Sequence, residues 1–302
     1  MFLASGMSCI DNACVASRRE EHPFAILRIR YIGARRPQFH QIFVKASTMG
    51  NGIDQALIAD WPYPRLVAHR IGGKLAPENT LAGFDMCARF GYKMIEFDAK
   101  LSSDDQIFLL HDDDLDRTTN GHGPAAQHTW HQLASLDAGA WFDPRFADER
   151  LPTLSQVAAR CATEAIAANI EIKPCPGRDE ITGRLVALAA KDLWRAQKPL
   201  LSSFSFDALK AARDAAPSLP RGMLFEALPD DWLAIVRELG CVSLHADHKH
   251  LTQQNIRAIR DAGLRVLAYT VNDPARAREL AKWGVDMICT DRLDMIGADV
   301  VN

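Results

Sequence analysis

From residue 66 onward, apolar runs of four to six residues alternate with longer stretches whose apolar positions recur every three or four. The first pattern suits strands buried on both faces, and the second suits amphipathic helices lying against them. It predicts strands at 66–69, 94–98, 168–172, 200–204, 222–225, 242–245, 265–270 and 287–290. Helices are predicted near 80–91, 153–164, 181–194, 206–215, 230–239, 252–262 and 274–283. Asn79-Thr80, Pro152-Thr153 and Asn272-Asp273-Pro274 carry helix-start chemistry, and Gly240, Gly263 and Gly284 stand where helices stop. Eight strands with helices between them predict a closed (β/α)8 barrel, with an open doubly wound sheet as the alternative. Gly72-Gly73 lacks the spacing of a dinucleotide-binding loop.

One connection breaks the rhythm. Between the strand ending near Asp98 and the helix beginning near Thr153, segments 99–102 and 106–111 flank the polar turn Ser103-Asp104-Asp105. So short a connection allows only an antiparallel hairpin. It would return His111 to a place opposite roughly position 98, at the C-terminal mouth of the barrel. Residues 112–150, rich in Asp, Gly, His and aromatics, then read as a small cap, so that 99–150 is an insertion. Trp130, Leu133, Leu136, Trp141, Phe142 and Phe146 could form its mini-core, the preferred reading, or an apolar rim for lipid tails.

Composition narrows the class. With 48% hydrophobic and 24% charged residues among 302, the chain is globular rather than disordered, and its net charge of −3 suggests neither nucleic acid nor an acidic membrane as partner. Residues 1–48 differ, carrying net +4 and no sustained helical period. They are expected to be an extension outside the core, translated from an upstream start that is not the native one, with a basic docking arm as the alternative. The barrel domain spans 60–302. Seven scattered cysteines form no close zinc-type pair and read as buried thiols in a reducing compartment. There is no run of 18 apolar residues and no signal-peptide pattern, so the expected location is the cytoplasm, without stable membrane association. A homodimer is permitted but not required.

In such a barrel, chemistry sits at the C-terminal ends of the strands. Those ends carry His69-Arg70, Glu96 and Asp98, Glu171 and Lys173, His245 with Asp247, and Asn272. Residues two apart share a strand face, so Glu96 projects with Asp98 and Glu171 with Lys173. Three converging carboxylates call for a cation or shared protons, and an all-oxygen set suits Mg²⁺ or Ca²⁺. A structural charge network with Arg70 and Lys173 is the alternative. His69 and His111 could divide general-base and general-acid work, while Arg70 and Lys173 hold an anion such as phosphate. Residue chemistry alone reaches a metal-assisted lyase or hydrolase of a small anion.

His69-Arg70, Pro77-Glu78-Asn79-Thr80, Glu96-Phe97-Asp98, His111-Asp112, Asn169-Ile170-Glu171-Ile172-Lys173, Ser202-Ser203-Phe204, Thr270-Val271-Asn272 and the stretch 284–291 together resemble the glycerophosphodiester phosphodiesterases. The likeness covers residues 60–297, and within the family it is most similar to the short cytoplasmic bacterial enzymes associated with glycerol-3-phosphate uptake. It implies a TIM barrel of the phospholipase C-like phosphodiesterase type, with a small insertion after strand 2. It also implies hydrolysis of glycerophosphoethanolamine, glycerophosphocholine and similar diesters to sn-glycerol 3-phosphate and an alcohol. Glu96, Asp98 and Glu171 would be the ligands of the divalent cation, Mg²⁺ or Ca²⁺. His69 and His111 would be the acid–base pair, with His69 the preferred base. Arg70, Glu78, Lys173, Phe204 and Tyr269 would bind substrate. In the family's usual mechanism the glycerol 2-hydroxyl attacks phosphorus and the cyclic phosphate is then hydrolysed. Lysophospholipase D-like action and a non-catalytic phosphoester-binding barrel are the alternatives. Ile71 departs from the family pattern, which has glycine there, and could crowd the loop unless Gly72 and Gly73 absorb the strain. Tyr269 stands at a wall position that is often Trp in relatives.

Overall fold

The computed structural model describes residues 60–301, and the expectations for 1–48 lie outside the described residues. The first elements are β1 (Leu66–Ala68), α1 (Gly83–Phe90), β2 (Met94–Leu101) and β3 (Ile107–Leu109). The cap holds one short helix, α2 (Trp130–Leu133), between two 3₁₀ turns. There follow α3 (Leu154–Glu164), β4 (Ala167–Ile172), α4 (Asp179–Leu193), β5 (Leu200–Ser203), α5 (Phe206–Ala215) and β6 (Arg221–Phe225). The chain continues with α6 (Trp232–Glu238), β7 (Ser243–Asp247), α7 (Gln253–Asp261), β8 (Arg265–Tyr269), α8 (Pro274–Trp283), β9 (Met287–Thr290) and α9 (Ala298–Val301).

Eight parallel strands run in the spatial order β1-β9-β8-β7-β6-β5-β4-β2, and β1 pairs with β2 to close the barrel. The open-sheet alternative therefore falls. Val67, Met94, Leu200, Leu267 and Met287 fill the interior, while two larger apolar clusters join strands to helices outside.

Local chemistry explains the boundaries. The Thr153 and Thr252 side chains accept from the amides of Gln156 and Asn255, whose side chains accept in return from the capping amides. Asp273 caps α8 with Pro274 behind it, and Gly284 ends that helix at φ 94°. One expected start is wrong. Asn79-Thr80 does not cap α1, which begins at Gly83 with no side-chain cap. Asn79 takes φ 57°, a value Asn tolerates better than most residues, and turns its amide to Asp98.

β3 runs antiparallel to β2, with Ala99 opposite Leu109 and Leu101 opposite Ile107. The Leu110 amide donates to the Asp98 carbonyl at 3.2 Å, so His111 returns to the mouth within a residue of its expected place. Lys100, fully buried, reaches Asp113 Oδ1 at 2.8 Å and ties the hairpin to the cap.

The cap has its own core of Phe108, Leu110, Leu115, Leu133 and Leu151, with Trp130 and Leu136 packed against it. Trp141, Phe142 and Phe146 are not part of this core. They form an edge-to-face series, with Trp141 exposed and its Nε1 donating to the Ala138 carbonyl.

Candidate active site

β2 and β4 set the centre of the site. Their parallel register places Glu96 beside Asn169 and Asp98 beside Glu171. One oxygen from each of Glu96, Asp98 and Glu171 lies within 4.8 Å of the others. At an effective dielectric of 20, two full charges at that separation repel by about 3 kcal/mol. All three side chains are nearly buried, so water relieves little of this.

The protonation states reflect that strain. Burial, Asp98 and Glu171 push the Glu96 carboxyl well above the carboxylate range. Burial and Asp98 push Glu171 up to about 7. Burial opposes ionisation of Asp98 too, but Lys173, Arg70, His111 and the Asn79 amide outweigh it and hold Asp98 ionised. The Asn79 Nδ2–Oδ2 contact is 2.8 Å, and the Asp98 amide donates to Asn79 Oδ1 at 3.1 Å. Glu96 Oε2 accepts the Arg70 amide at 3.0 Å, whereas its buried Oε1 has no partner among the described residues. A buried carboxylate oxygen with no donor, beside two more carboxylates, fits a hard divalent cation.

The two histidines are held alike. His69 Nδ1 lies 2.7 Å from Asp291 Oδ1, and His111 Nδ1 lies 2.6 Å from Asp112 Oδ1. Both aspartates have carboxyls held low, Asp291 against its burial by His69 and Asn272, and Asp112 chiefly by Arg117. An ionised carboxylate only accepts, so each ring carries its proton on Nδ1 and leaves Nε2 for the site. His69 Nε2 is 3.9 Å from Glu96 Oε2, on the side of the acids. Burial holds His111 below the usual histidine value, despite the raising pull of Asp98.

Two cations complete the centre. Lys173 Nζ lies 3.1 Å from Glu171 Oε1 and 3.5 Å from Asp98 Oδ1. Arg70 donates to Glu78 at 2.8 Å, with its Nε 3.7 Å from Asp98 Oδ2. Glu78 also receives two 2.8 Å bonds from Arg117, which in turn grips Asp112. A continuous chain therefore runs from Asp98 through Arg70, Glu78, Arg117 and Asp112 to His111.

A cavity of about 180 Å³ brings together His69, Arg70, Glu96, His111, Glu171, Lys173, Phe204 and Tyr269 from the sequence-derived set. Asp98 and Glu78 do not line it, but each contacts Arg70, which does. Phe204, exposed at the rim, meets Tyr269 edge-to-face at 6.0 Å, and the Tyr269 hydroxyl is anchored on the Phe225 carbonyl at 2.8 Å. Ile71 does not crowd the cavity. It takes φ 73° and is fully buried in the outer core with Phe84, in room left by Gly83, where a Cβ would stand 2.9 Å from Ile71 Cγ2.

The sequence pattern marked Asn79 only as a helix start, and assigned no site role to Asp112, Arg117, Asn169 or Asp291. Asp291 follows the last strand, so the strand-end rule covered it. Arg117 acts from inside the cap, where spacing carries no signal.

A closed parallel barrel with a clustered acidic site, paired cations and two carboxylate-backed histidines at its C-terminal mouth defines a phosphoester hydrolase of the TIM-barrel class. Residues 69–295 match the glycerophosphoryl diester phosphodiesterase family, and the chain belongs to it. It is 35% identical over 241 residues to the Bacillus subtilis protein YhdW, named as a glycerophosphodiester phosphodiesterase, covering 78% of this chain and 97% of that one. A glycerophosphodiester phosphodiesterase of Caldanaerobacter subterraneus is 32% identical, covering 75% of this chain and 93% of its own. Among solved structures, an Oleispira antarctica phosphodiesterase in complex with the product sn-glycerol-3-phosphate superposes with a TM-score of 0.73 at 35% identity, over 76% of this chain and 93% of that one. The chain is thus an enzyme of phosphodiester hydrolysis.

Proposed function

We propose that this protein hydrolyses glycerophosphodiesters such as glycerophosphoethanolamine and glycerophosphocholine to sn-glycerol 3-phosphate and the free alcohol, with Mg²⁺ or Ca²⁺ as cofactor. The observation that carries this reading is the partnerless Glu96 Oε1 within the three-carboxylate cluster, set between two carboxylate-backed histidines. Glu96, Asp98 and Glu171 would hold the cation, which when bound supplies positive charge to the phosphoryl oxygens and acidity to the attacking hydroxyl.

The chain's own residues do the rest. Arg70 and Lys173 hold the phosphate oxygens, and Phe204 with Tyr269 walls the cavity mouth. His69 takes the proton of the glycerol 2-hydroxyl at Nε2, and ionised Asp291 stabilises the imidazolium that forms. The freed oxygen bonds to phosphorus, and the bond to the head-group oxygen breaks as His111 Nε2 gives that oxygen a proton. In the second half His111 takes a proton from water, whose oxygen attacks phosphorus. The bond from phosphorus to the glycerol 2-oxygen breaks, and His69 returns the proton it holds to that oxygen. Burial keeps His111 low in the free site, and an anionic phosphodiester beside it favours its protonated form.

Among the described residues, all five cysteines are buried and unpaired, and no helix is long and apolar enough to cross a membrane. The five buried, unpaired thiols fit the proposed reducing compartment.

The test is release of sn-glycerol 3-phosphate from glycerophosphoethanolamine by chelator-stripped protein, read with a coupled dehydrogenase while Mg²⁺ and Ca²⁺ are added back separately. Turnover restored by either ion supports the proposal. No turnover with either contradicts it.

A further inference from the structure

Beneath the charged centre the cavity changes character. Asn169 lies two residues before Glu171 on the same face of β4, and so about 7 Å deeper in the barrel. Its Nδ2 donates to Ser202 Oγ at 3.1 Å, and its Oδ1 is buried with no partner. On β7, His245 is fully buried and shares a 2.9 Å hydrogen bond between Nε2 and Ser243 Oγ, while its Nδ1 is also without a partner. Both side chains line the cavity, alongside Leu224, Leu267 and Cys289. Glycine at 222 makes room for this arrangement, because a Cβ there would stand 2.4 Å from His245 Nε2. Two neutral polar side chains, each held by a serine, therefore line the inner part of the cavity, and each keeps one buried polar atom without a partner among the described residues.

Two orphaned polar groups in one buried chamber are costly unless a ligand satisfies them. We infer that Asn169 and His245 form a subsite that receives the terminal hydroxyl of the glycerol moiety while the neighbouring hydroxyl stays beside phosphorus. The inference rests on the glycerophosphodiester reading above and adds its selectivity. The chamber's chemistry points to a hydroxyl rather than to a charged group. Among the described residues no acid or cation pairs with His245, and burial alone pushes its pKa down to about 3, so the ring is neutral at working pH. Its tautomer is set by which way the Ser243 proton points, and a hydroxyl both donates and accepts, so it suits either tautomer. Whichever way the Asn169 amide is turned, one of its polar atoms still faces the chamber. Below, Met94, Leu200 and Met287 fill the barrel and close the floor. A terminal hydroxyl would reach Asn169 and His245, whereas an acyl chain extending from the same oxygen would meet these packed side chains. The subsite would therefore favour small diesters over lysophospholipids.

The experiment compares kcat/KM for glycerophosphocholine with that for the phosphocholine diester of propane-1,2-diol, which keeps the attacking hydroxyl and lacks the terminal one. Wild type should prefer the glycerol substrate by roughly 10- to 100-fold. His245→Leu should lose most of that preference, mainly by losing activity on glycerophosphocholine, and His245→Asn, which keeps a donor and an acceptor, should recover part of it. Lysophosphatidylcholine should not be turned over. A second reading needs no variant. The ring nitrogens of His245 in ¹⁵N NMR should shift on addition of sn-glycerol 3-phosphate but not of propane-1,2-diol phosphate. Equal wild-type rates on the two diesters, an unchanged preference in His245→Leu, or an indifferent His245 signal would each overturn the subsite while leaving the reaction standing. Absence of all turnover by wild type would instead overturn the parent reading and the subsite with it.

Discussion

His69 Nδ1 and Asp291 Oδ1 stand 2.7 Å apart across the seam where β1 meets β9, so the barrel's first and last strands are joined through the proposed base. Asn272 fixes the other carboxylate oxygen at 2.8 Å, leaving Asp291 one orientation. Asp291→Asn keeps the shape but replaces an ionised acceptor by an amide that no longer demands a proton on Nδ1. The expected result is a fall in kcat of roughly 10²-fold or more, with KM and cation affinity little changed. Steady-state kinetics with calorimetric cation binding check this. A wild-type kcat would remove Asp291 from the account.

The second histidine is reached from the cap. Arg117 holds Asp112 and Glu78 at once, and these in turn hold His111 and Arg70. Arg117→Ala should lower kcat/KM by about 10-fold, and Arg117→Lys, which lacks the fork needed for two carboxylates, should restore only part. His111→Ala should cost about 10² or more in turnover while cation binding persists. Loss of cation binding in that variant would place His111 in the wrong role.

The His111 ring itself can be followed. Burial keeps it below 6.5 in the free protein, and a bound anion should raise it. An NMR titration with and without sn-glycerol 3-phosphate should show an upward displacement. A value that ignores the ligand would show that phosphate binds away from this ring.

Much of this was legible in the sequence, for identifiable reasons. Glu96, Asp98 and Glu171 interrupt otherwise apolar strands, and an acid in such a run announces a buried charge. The hairpin register followed from a short polar turn and brought His111 home. Asn79 was misread because an Asn-Thr pair before an apolar-periodic stretch carries the same signal whether it caps a helix or turns at positive φ to serve an aspartate. Asn169 and His245 were visible as residues, but partnerless atoms exist only once neighbouring strands are aligned.

Ile71 makes a stability prediction. Its φ of 73° disfavours a β-branched residue by about 1–2 kcal/mol, while its fully buried side chain contributes about 2–5 kcal/mol over Ala. Packing outweighs strain, so Ile71→Gly should be destabilised by about 1–3 kcal/mol in denaturant unfolding, with activity within a few fold of wild type. A more stable variant would reverse that ranking.

The acids also set a pH dependence. Glu171 titrates at about 7 in the folded protein and near 4.5 when unfolded, and Glu96 is displaced in the same direction. The folded state thus holds extra protons, and the stability Glu171 contributes is full below about 4.5 and lost as pH rises through about 7, with Glu96 acting in the same direction. A divalent cation binds the ionised forms and offsets that loss. Thermal unfolding with and without Mg²⁺ or Ca²⁺ should show a small upward displacement at pH 5 and a larger one at pH 8. Equal displacements would contradict the carboxylate assignment.

The most direct measurement combines cation binding with turnover in one pair of samples. Stripped wild type and Glu171→Gln are titrated with Mg²⁺ and Ca²⁺ by calorimetry, then assayed on glycerophosphoethanolamine. The account predicts that wild type binds an ion and turns over in proportion to its occupancy. It predicts that the variant, folded by circular dichroism, loses both. A folded Glu171→Gln protein with full turnover would contradict the claim that Glu96, Asp98 and Glu171 together hold the ion on which catalysis depends.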